Sequence, residues 1–477
     1  MTNRNKTFRS ALVILVAFGL VSCVPTLVPK SGSLTQPESY SWQGDTTNSA
    51  TINWRNYFAD TNLTALIDLA LANNQELNII LQEIEIARNE ARVRKGEYLP
   101  FVNLKLGSGV EKVGRYTSQG ANDANTEIAP GREFPEPLTD IALQASATWE
   151  LDIWHKLRNA RKAAVMRYLS SIEGRNFMVT QLVAEIAEAY YELMALDNQL
   201  DILKTNIQIQ QNALKMVRQQ KLAAKVTELA VKKFEAEVLK NQSNLFTIEQ
   251  QIVETENWLN LLVGRYPQRI ERSSVQFTKL KPDSLSTGVP SQLLLNRPDL
   301  RQAEQKLAAS KLDIQVARAN FYPSVGITAG LGYQAFNAEY LLQTPESMLY
   351  SIVGDVVQPL VNRNAIIANY YTANAKQIQA AYEYERAILQ AYTEVVNQVS
   401  NLDNLQKSYD LKRQQVQTLN QSITISTNLF QSARADYMEV MLTQRDALEA
   451  KIEMVETKKE QLISTVQLYK ALGGGWQ

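Results

Sequence analysis

The longest unbroken helical pattern of the chain runs from Leu360 to Leu472, a stretch without Gly or Pro. Because those two residues interrupt regular structure most strongly, their absence predicts helix. Gln398 and Lys412 are the polar breaks in its apolar stripe, which keeps spacings of three and four residues. The stripe consists of Tyr384, Ile388, Ala391, Val395, Leu402, Leu405, Tyr409, Val416, Leu419 and Ile423. Such a stripe is typical of a helix packed along other helices.

The chain repeats its own pattern. The stretch from Asn74 to Pro100 matches the stretch from Arg297 to Pro323, with an offset of 223 residues at both ends. A second long helix is predicted in the first half at Asn159–Leu222 and carries one polar break, Gln210, in a similar apolar stripe. A shorter helix is predicted after it at Glu228–Val263. The sequence therefore predicts a tandem duplication with halves at roughly 60–265 and 290–473.

Each half also contains two segments of alternating apolar and polar residues, which predict strands at 99–114, 138–153, 323–335 and 348–361. Strands of about ten residues with one apolar face suit a transmembrane β-barrel. A soluble β-hairpin is the alternative on this pattern alone. Because lipid tolerates no open sheet edge, four strands cannot form a barrel alone, and at least two copies must share one.

The helix lengths predict that each half folds back on itself. The helix from Asn364 to Gln431 would measure roughly 100 Å, which is close to the sum of the two shorter helices of the same half. Each half is then one continuous helix antiparallel to two stacked helices. The fold-back points are Lys221–Glu228 and Gln431–Tyr437. The predicted fold class is mainly α with a membrane β-barrel portion.

Composition excludes several functions. Lys plus Arg and Asp plus Glu balance at 49 each, so nothing points to nucleic acid. With one Cys and one His in the chain, a protein-built thiolate or imidazole metal site and an intrachain disulfide are nearly excluded. The sequence contains no motif for a nucleophile–base pair, a cluster of metal ligands or a Gly-rich phosphate loop. We therefore predict no enzyme, no cofactor and no metal.

The start of the chain predicts export. Basic residues precede an apolar run from Ala11 to Val21 that is too short for a stop-transfer helix, so residues 1–22 read as a signal peptide. The pattern at Ser22-Cys23 resembles the bacterial lipoprotein box and makes Cys23 the predicted lipidation site. The alternative is a signal peptide that contains a Cys by chance. Residues 23–60 are the predicted lipid-anchored tether, extended from Pro25 to Thr51.

Several motifs together resemble the TolC-like outer-membrane efflux lipoproteins, in the NodT/OprM branch of the outer membrane factor family. They are Trp54 to Asp60, Ala72 to Leu77, Leu261 to Gly264, Pro290 to Leu294, Asn296 to Leu300 and Leu468 to Trp476. The resemblance covers essentially the whole mature chain. It implies a homotrimer with a 12-strand β-barrel in the outer membrane and a 12-helix tunnel through the periplasm. It also implies a periplasmic adaptor and an inner-membrane pump of RND type as partners.

In that family the two inter-helix turns hold the periplasmic end nearly shut, often with a ring of acidic residues. The resemblance therefore implies that Asp436 and Arg434 are gate residues, with Lys225 and Glu228 as their neighbours. The alternative is that these four residues are only solvated charges at a helix tip. Relatives usually have Gly where this chain has Ala224 and Ala433, so both turns are expected to be stiffer.

The function predicted from these features is a passive exit duct of a tripartite efflux system. A type I protein-secretion channel is one alternative, and a coiled-coil envelope lipoprotein without a pore is another. The transported substrate cannot be read from the sequence. The chain is predicted to divide into a signal peptide at 1–22, a lipid-anchored tether at 23–60, the first repeat at 61–265, an equatorial linker at 266–290, the second repeat at 291–473 and a tail at 474–477.

Overall fold

The computed structural model describes residues 24–32, 34, 37–40, 47–273, 277–280, 285–359, 363–432 and 434–477. The predicted signal peptide, Cys23 and Ala433 lie outside the described residues. The chain divides into two compact units. Unit 1 comprises Met1–Ser31, Glu85–Leu169 and Gln305–Tyr382, and unit 2 comprises Gly32–Ile84, Ser170–Glu304 and Glu383–Gln477.

The elements follow one another in a repeated order. The helices are α1 (Trp54–Tyr57), α2 (Thr61–Asn73), α3 (Gln75–Glu97), α4 (Ser118–Asp123), α5 (Lys156–Leu222), α6 (Glu228–Val263), α7 (Leu293–Asn296), α8 (Pro298–Ala319), α9 (Asn364–Gln431) and α10 (Tyr437–Ala471). The strands are β1 (Phe101–Glu111), β2 (Glu127–Ala129), β3 (Arg132–Glu133), β4 (Leu138–Leu151), β5 (Ser324–Ala335) and β6 (Met348–Val357). Short 3₁₀ helices lie at Ser49–Thr51, Phe277–Lys279 and Pro290–Gln292.

The tandem duplication is confirmed by the lengths of the corresponding helices. The long helices α5 and α9 have 67 and 68 residues. The helices that follow them, α6 and α10, have 36 and 35 residues, and α3 and α8 have 23 and 22. Each half therefore contains the same succession of short helix, two long strands, long helix and shorter helix.

Unit 1 contains a four-stranded antiparallel sheet with the order β1-β4-β5-β6. Its register aligns like residues across the sheet, so that Leu104, Ala145, Leu331 and Tyr350 lie in one row. The next row consists of Asn103, Ser146, Gly330 and Ser351. Because successive side chains of a strand point to opposite faces, one face of the sheet is apolar and the other is polar or small. Among the described residues, no helix combines the length and the apolar character needed to cross a bilayer.

The largest core of unit 2 surrounds α5. Leu63 and Ile67 of α2 join Ile186 and Tyr190 of α5 in one buried cluster, together with residues of α6 and α10. The hydroxyl of Tyr190 donates to Asp60 at 2.9 Å. Asp60 in turn accepts from the backbone N–H of Asn62 and so caps α2. This partly buried hydrogen bond thus fixes the start of α2 against the middle of α5.

The polar breaks in the apolar stripes are paired. The side chain of Asn241 donates to Gln210 at 2.8 Å in the buried interface of α5 and α6. Ser464 donates to Gln398 at 2.9 Å between α10 and α9. Lys412 forms an ion pair of 3.2 Å with Glu453. Each break therefore places a hydrogen bond or ion pair between antiparallel helices, where an unpaired polar group would be costly.

The predicted tether packs against the protein where it is described. In unit 1, Val24 and Leu27 contact the cluster of Phe321 and Tyr370. The fully buried amide of Gln377 accepts from the backbone N–H of Lys30 at 3.0 Å and donates to its carbonyl at 2.7 Å. A side-chain amide thus pairs with this segment as a neighbouring strand would.

Replacing Gln377 by alanine should release this segment, because both backbone groups of Lys30 lose their buried partner. We expect trypsin to cleave after Lys30 several-fold faster in the variant, measured by mass spectrometry of the folded protein. Gln390→Ala, at an exposed position of the same helix, is the matched control. Equal cleavage of both variants would mean that Gln377 does not hold the segment.

Candidate functional site

The first fold-back turn joins α5 to α6 and closes with backbone hydrogen bonds. The N–H of Ala224 donates to the carbonyl of Lys221, and the N–H of Lys225 donates to that of Gln220, both at 2.9 Å. This six-to-one closure requires a left-handed residue, and Ala224 has a φ of 52°. A residue with a side chain therefore occupies a position that favours glycine.

Two of the predicted gate residues lie in this turn. Lys225 and Glu228 are both exposed. Glu228 forms an ion pair with Lys221 across the turn. The hydrogen bond from Lys221 lowers the pKa of the Glu228 carboxyl. The contribution of this pair is therefore present at neutral pH and is lost only as the pH falls through that lowered pKa.

The second fold-back turn shares one backbone hydrogen bond with the first. The N–H of Arg434 donates to the carbonyl of Leu429 at 2.8 Å, which is the same six-to-one closure that Lys225 makes. Asp436 precedes α10 in an extended conformation, and its side chain accepts no capping hydrogen bond. Arg434 and Asp436 are exposed. Neither takes part in an ion pair among the described residues.

An apolar cluster brings the two turns together at one end of unit 2. Phe234 of α6 is buried there with Val217 of α5, and Phe430 and Tyr437 from the second turn pack against them. The rings of Phe234 and Tyr437 have centroids 6.5 Å apart. The turns that carry the four predicted gate residues are therefore neighbours within one chain.

The strain at Ala224 leads to a stability prediction. Ala224→Gly should raise the free energy of unfolding by up to about 1 kcal/mol, because glycine adopts the left-handed conformation without a Cβ clash. Ala223→Gly, one residue earlier and outside the positive-φ positions, should lower it. Chemical denaturation followed by circular dichroism measures both. A loss of stability in both variants would contradict the strained turn.

The Arg-Pro-Asp motif has a structural role that the sequence did not reveal. Arg297 is buried and pairs with Asp299 at 2.7 Å and with Glu394 of α9 at 2.6 Å. It also donates to the carbonyl of Ala471 at the end of α10. Burial lowers the pKa of Arg297, but the hydrogen bonds and charges of both carboxylates outweigh it and raise the pKa overall. One guanidinium thus connects α8, α9 and α10.

A groove of about 430 Å³ was not predicted. It is lined by Glu185, Glu188, Ala189, Glu192, Glu254, Thr255, Trp258 and Ile463. Helical periodicity places Glu188 on the side of α5 opposite Ile186 and Tyr190, which are buried in the core. Burial raises the pKa of the Glu188 carboxyl, which Lys470 and a hydrogen bond from Gln467 oppose. The four glutamates escaped sequence reading because they recur at helical spacing without a distinctive motif.

The only His of the chain, His155, lies in the turn between β4 and α5 with a φ of 59°. In the part of the chain that the structure describes, no group of three His, Cys, Asp or Glu residues could hold a metal ion. Trp154, beside it, donates to the carbonyl of Pro323 at 2.7 Å and stacks on Tyr322. This junction therefore serves packing between β4 and β5.

The model of the family described as "Outer membrane efflux protein" matches residues 66–265 and 289–474. The chain belongs to this family. The match covers both halves, so the predicted resemblance is confirmed. It places the chain in the outer membrane as an efflux channel component.

Among relatives, the chain is 27% identical to the pyoverdine export outer membrane protein OpmQ of Pseudomonas aeruginosa, over 100% of this chain and 98% of OpmQ. It is 25% identical to the cation efflux system protein CusC of Escherichia coli O6:H1, over 98% of both chains. The solved open state of the Neisseria gonorrhoeae MtrE outer membrane channel has a TM-score of 0.83, with 20% identity over 95% of this chain and 98% of that one. The fold of the present chain is therefore the fold of these channels, as predicted. Members of the family are channel proteins.

Proposed function

We propose that three copies of this chain form the passive exit duct of a tripartite efflux system. An inner-membrane pump, of RND type in our proposal, and a periplasmic adaptor would deliver the cargo. The observation that carries the proposal is the sheet of unit 1, because a membrane wall needs one apolar face and a pore needs one polar face. Its helices would continue the duct into the periplasm.

We also propose that the two fold-back turns gate this duct. Asp436 and Arg434, with Lys225 and Glu228 beside them, are exposed at adjacent turns at one end of unit 2. Three copies around an axis would bring like charges together, which makes the opening sensitive to salt. The energy for transport comes from the pump, so the duct needs no catalytic group.

Lipidation of Cys23 is a further part of the proposal and rests on the sequence. A strain fed radioactive palmitate should label the wild-type chain, whereas Cys23→Ser should lose the label because it removes the only thiol of the chain. The control is Ser22→Ala, which keeps the thiol and a small neighbour. Labelling of Cys23→Ser would contradict lipidation at this residue.

In our proposal, the pump rather than this chain determines which cargo is transported. Relatives of nearly equal identity carry the names of pyoverdine export, cation efflux and toluene efflux proteins. Sequence similarity at this level therefore does not select one cargo. A neighbouring pump gene would identify it.

Release of a self-quenched dye from lipid vesicles tests the duct. Purified trimeric protein should release carboxyfluorescein, whereas the same protein unfolded and then diluted into the vesicles should not. Intact vesicles after insertion of trimers would overturn the proposal in favour of an envelope spacer.

A further inference from the structure

We infer that Lys458 acts as a proton switch in the packing of α10 on α9, in which the charged amine loosens the two helices and the neutral amine lets them pack firmly. The switch lies within one chain and does not depend on whether the duct conducts. Its consequence for transport rests on the proposed function, because α9 and α10 are joined at the turn that carries Arg434 and Asp436. Loosening the pair would make this turn easier to move.

Lys458 is a buried cation without a carboxylate partner. Among the residues that it describes, the structure buries three cationic residues, which are Arg297, Lys458 and Lys459. Arg297 pairs with two carboxylates, and Lys459 pairs with three. Lys458 is only 3% exposed, yet it forms no ion pair within the described part of the chain. Because a buried charge is costly unless it is paired, this position disfavours the charged amine.

The amine lies at one step of a polar ladder between the two antiparallel helices. The steps are Ser464 with Gln398, Gln461 with Gln406, Lys458 with Tyr409, and Glu453 with Lys412. Three of them are hydrogen bonds or ion pairs, of 2.9, 2.7 and 3.2 Å. At the step of Lys458, the partner on α9 is the face of an aromatic ring, whose centroid lies 5.0 Å from the amine. This step is therefore the one at which α9 offers no hydrogen-bond acceptor.

The ring of Tyr409 is held from its other end. Its hydroxyl donates to the carbonyl of Thr278 at 2.9 Å. Thr278 lies in the 3₁₀ helix Phe277–Lys279, in which Phe277 is fully buried. The amine of Lys458 donates to Gln461 on its own helix at 3.2 Å. The ring face and this amide attract a cation more weakly than a carboxylate does, so burial of the charge is not offset.

The charged groups on the adjoining turns are already paired. They are Asp403, Lys407, Asp410, Lys412 and Arg413 on α9, Glu453, Glu456, Lys459 and Glu460 on α10, and Lys279 on the 3₁₀ helix. Those of α9 and α10 form ion pairs with one another or with Glu192 of α5. Lys279 is exposed. Burial raises the pKa of the Tyr409 hydroxyl, so this group stays neutral between pH 7 and pH 9.

Burial also sets the direction of the switch. It lowers the pKa of the Lys458 amine from 10.5 to about 8. When the helices separate, water reaches the amine and restores the ordinary pKa, so the separated pair binds the proton more tightly than the packed pair. Separation is therefore most favoured below pH 8, and packing gains stability as the pH rises from 8 towards 10.5. Between pH 7 and pH 9, the equilibrium constant for separation should fall about tenfold.

Hydrogen exchange of backbone amides measures this separation directly. Exchange in the purified protein is followed by mass spectrometry in peptides that cover residues 455–462. At pH 7 the wild type should exchange at least about tenfold faster than Lys458→Met, which keeps an unbranched side chain but carries no charge. By pH 9 this ratio should shrink about tenfold, because the packed wild type has lost the proton of Lys458. Comparing both proteins at the same pH removes the intrinsic pH dependence of exchange.

Two further variants separate the charge from the shape of the side chain. Lys458→Arg keeps a charge that cannot be removed, so its exchange relative to Lys458→Met should be the same at pH 7 and pH 9. Lys459→Met removes a paired charge from the next residue. It should exchange faster than the wild type at both pH values, because its carboxylates lose their partner.

Equal exchange of the wild type and Lys458→Met at pH 7 would overturn the switch, and so would a ratio that is unchanged at pH 9. If Lys458→Met does not fold, the wild type and Lys458→Arg carry the test, because only the wild type should slow relative to the other between pH 7 and pH 9. The proposed duct fails by a different observation, which is that intact trimers release no dye from vesicles.

Discussion

Arg297→Ala is expected to lower the free energy of unfolding by about 3 kcal/mol, at the low end of the range for breaking a buried ion pair. The substitution leaves Asp299, whose side chain is 23% exposed, without its partner and removes the hydrogen bond to Ala471. Glu394 is 52% exposed and regains water, which limits the loss. Chemical denaturation followed by circular dichroism measures the change.

The matched control for this prediction is Arg55→Ala. Arg55 forms an ion pair with Asp68, but both side chains are about half exposed. Exposed pairs contribute at most about 1 kcal/mol, so this variant should remain close to the wild type. An equal loss in the two variants would mean that burial gives Arg297 no special role in joining α8, α9 and α10.

The second large effect is expected at the gate. At 0.1 M salt, Asp436→Asn should reduce potassium conductance by about twofold, because three carboxylates no longer concentrate cations at the entrance. Arg434→Ala should increase it, because it removes three positive charges from the same place. In 1 M salt the charge effect should shrink, since the screening length falls to about 3 Å.

Asp446→Asn is the control for the gate variants. It removes an exposed carboxylate of α10 that lies ten residues, or about 15 Å, beyond Asp436. This distance exceeds the screening length at 0.1 M salt. If all three variants conduct like the wild type at both salt concentrations, the turns do not gate the pore.

The helix bounds could be predicted closely where an apolar stripe and a polar turn coincide. The predicted ranges Glu228–Val263 and Asn364–Gln431 are those of α6 and α9. The apolar stripe predicts a start of α5 at Asn159, whereas the helix begins at Lys156. The reason is Asp152, whose carboxylate accepts the backbone N–H groups of Leu157 and Arg158 and so starts the helix before the apolar stripe begins.

The strands were predicted from alternation and found in the same places, with shorter ends. The strand predicted at 99–114 spans Phe101–Glu111, and that at 348–361 spans Met348–Val357. The alternation of apolar and polar residues shows on which face of the sheet a side chain lies. It does not show where the backbone hydrogen bonds between two strands end. The prediction therefore extended each strand into its loop.

The contacts that hold the candidate site together could not be predicted from the sequence. Arg297 meets Glu394 at a separation of 97 residues and Ala471 at 174. Lys30 meets Gln377 at a separation of 347. Periodicity shows that a helix has a buried face, but it does not name the partner of that face. For the same reason, the sequence located both fold-back turns but not the apolar cluster that joins them.

Single-channel recording in planar bilayers tests the central claim most directly. Purified trimeric protein should open stable pores of one main conductance, and Asp436→Asn and Arg434→Ala should shift that conductance in opposite directions at low salt. Stable trimers that never open a pore would contradict the duct and leave an envelope spacer as the explanation for the long helices.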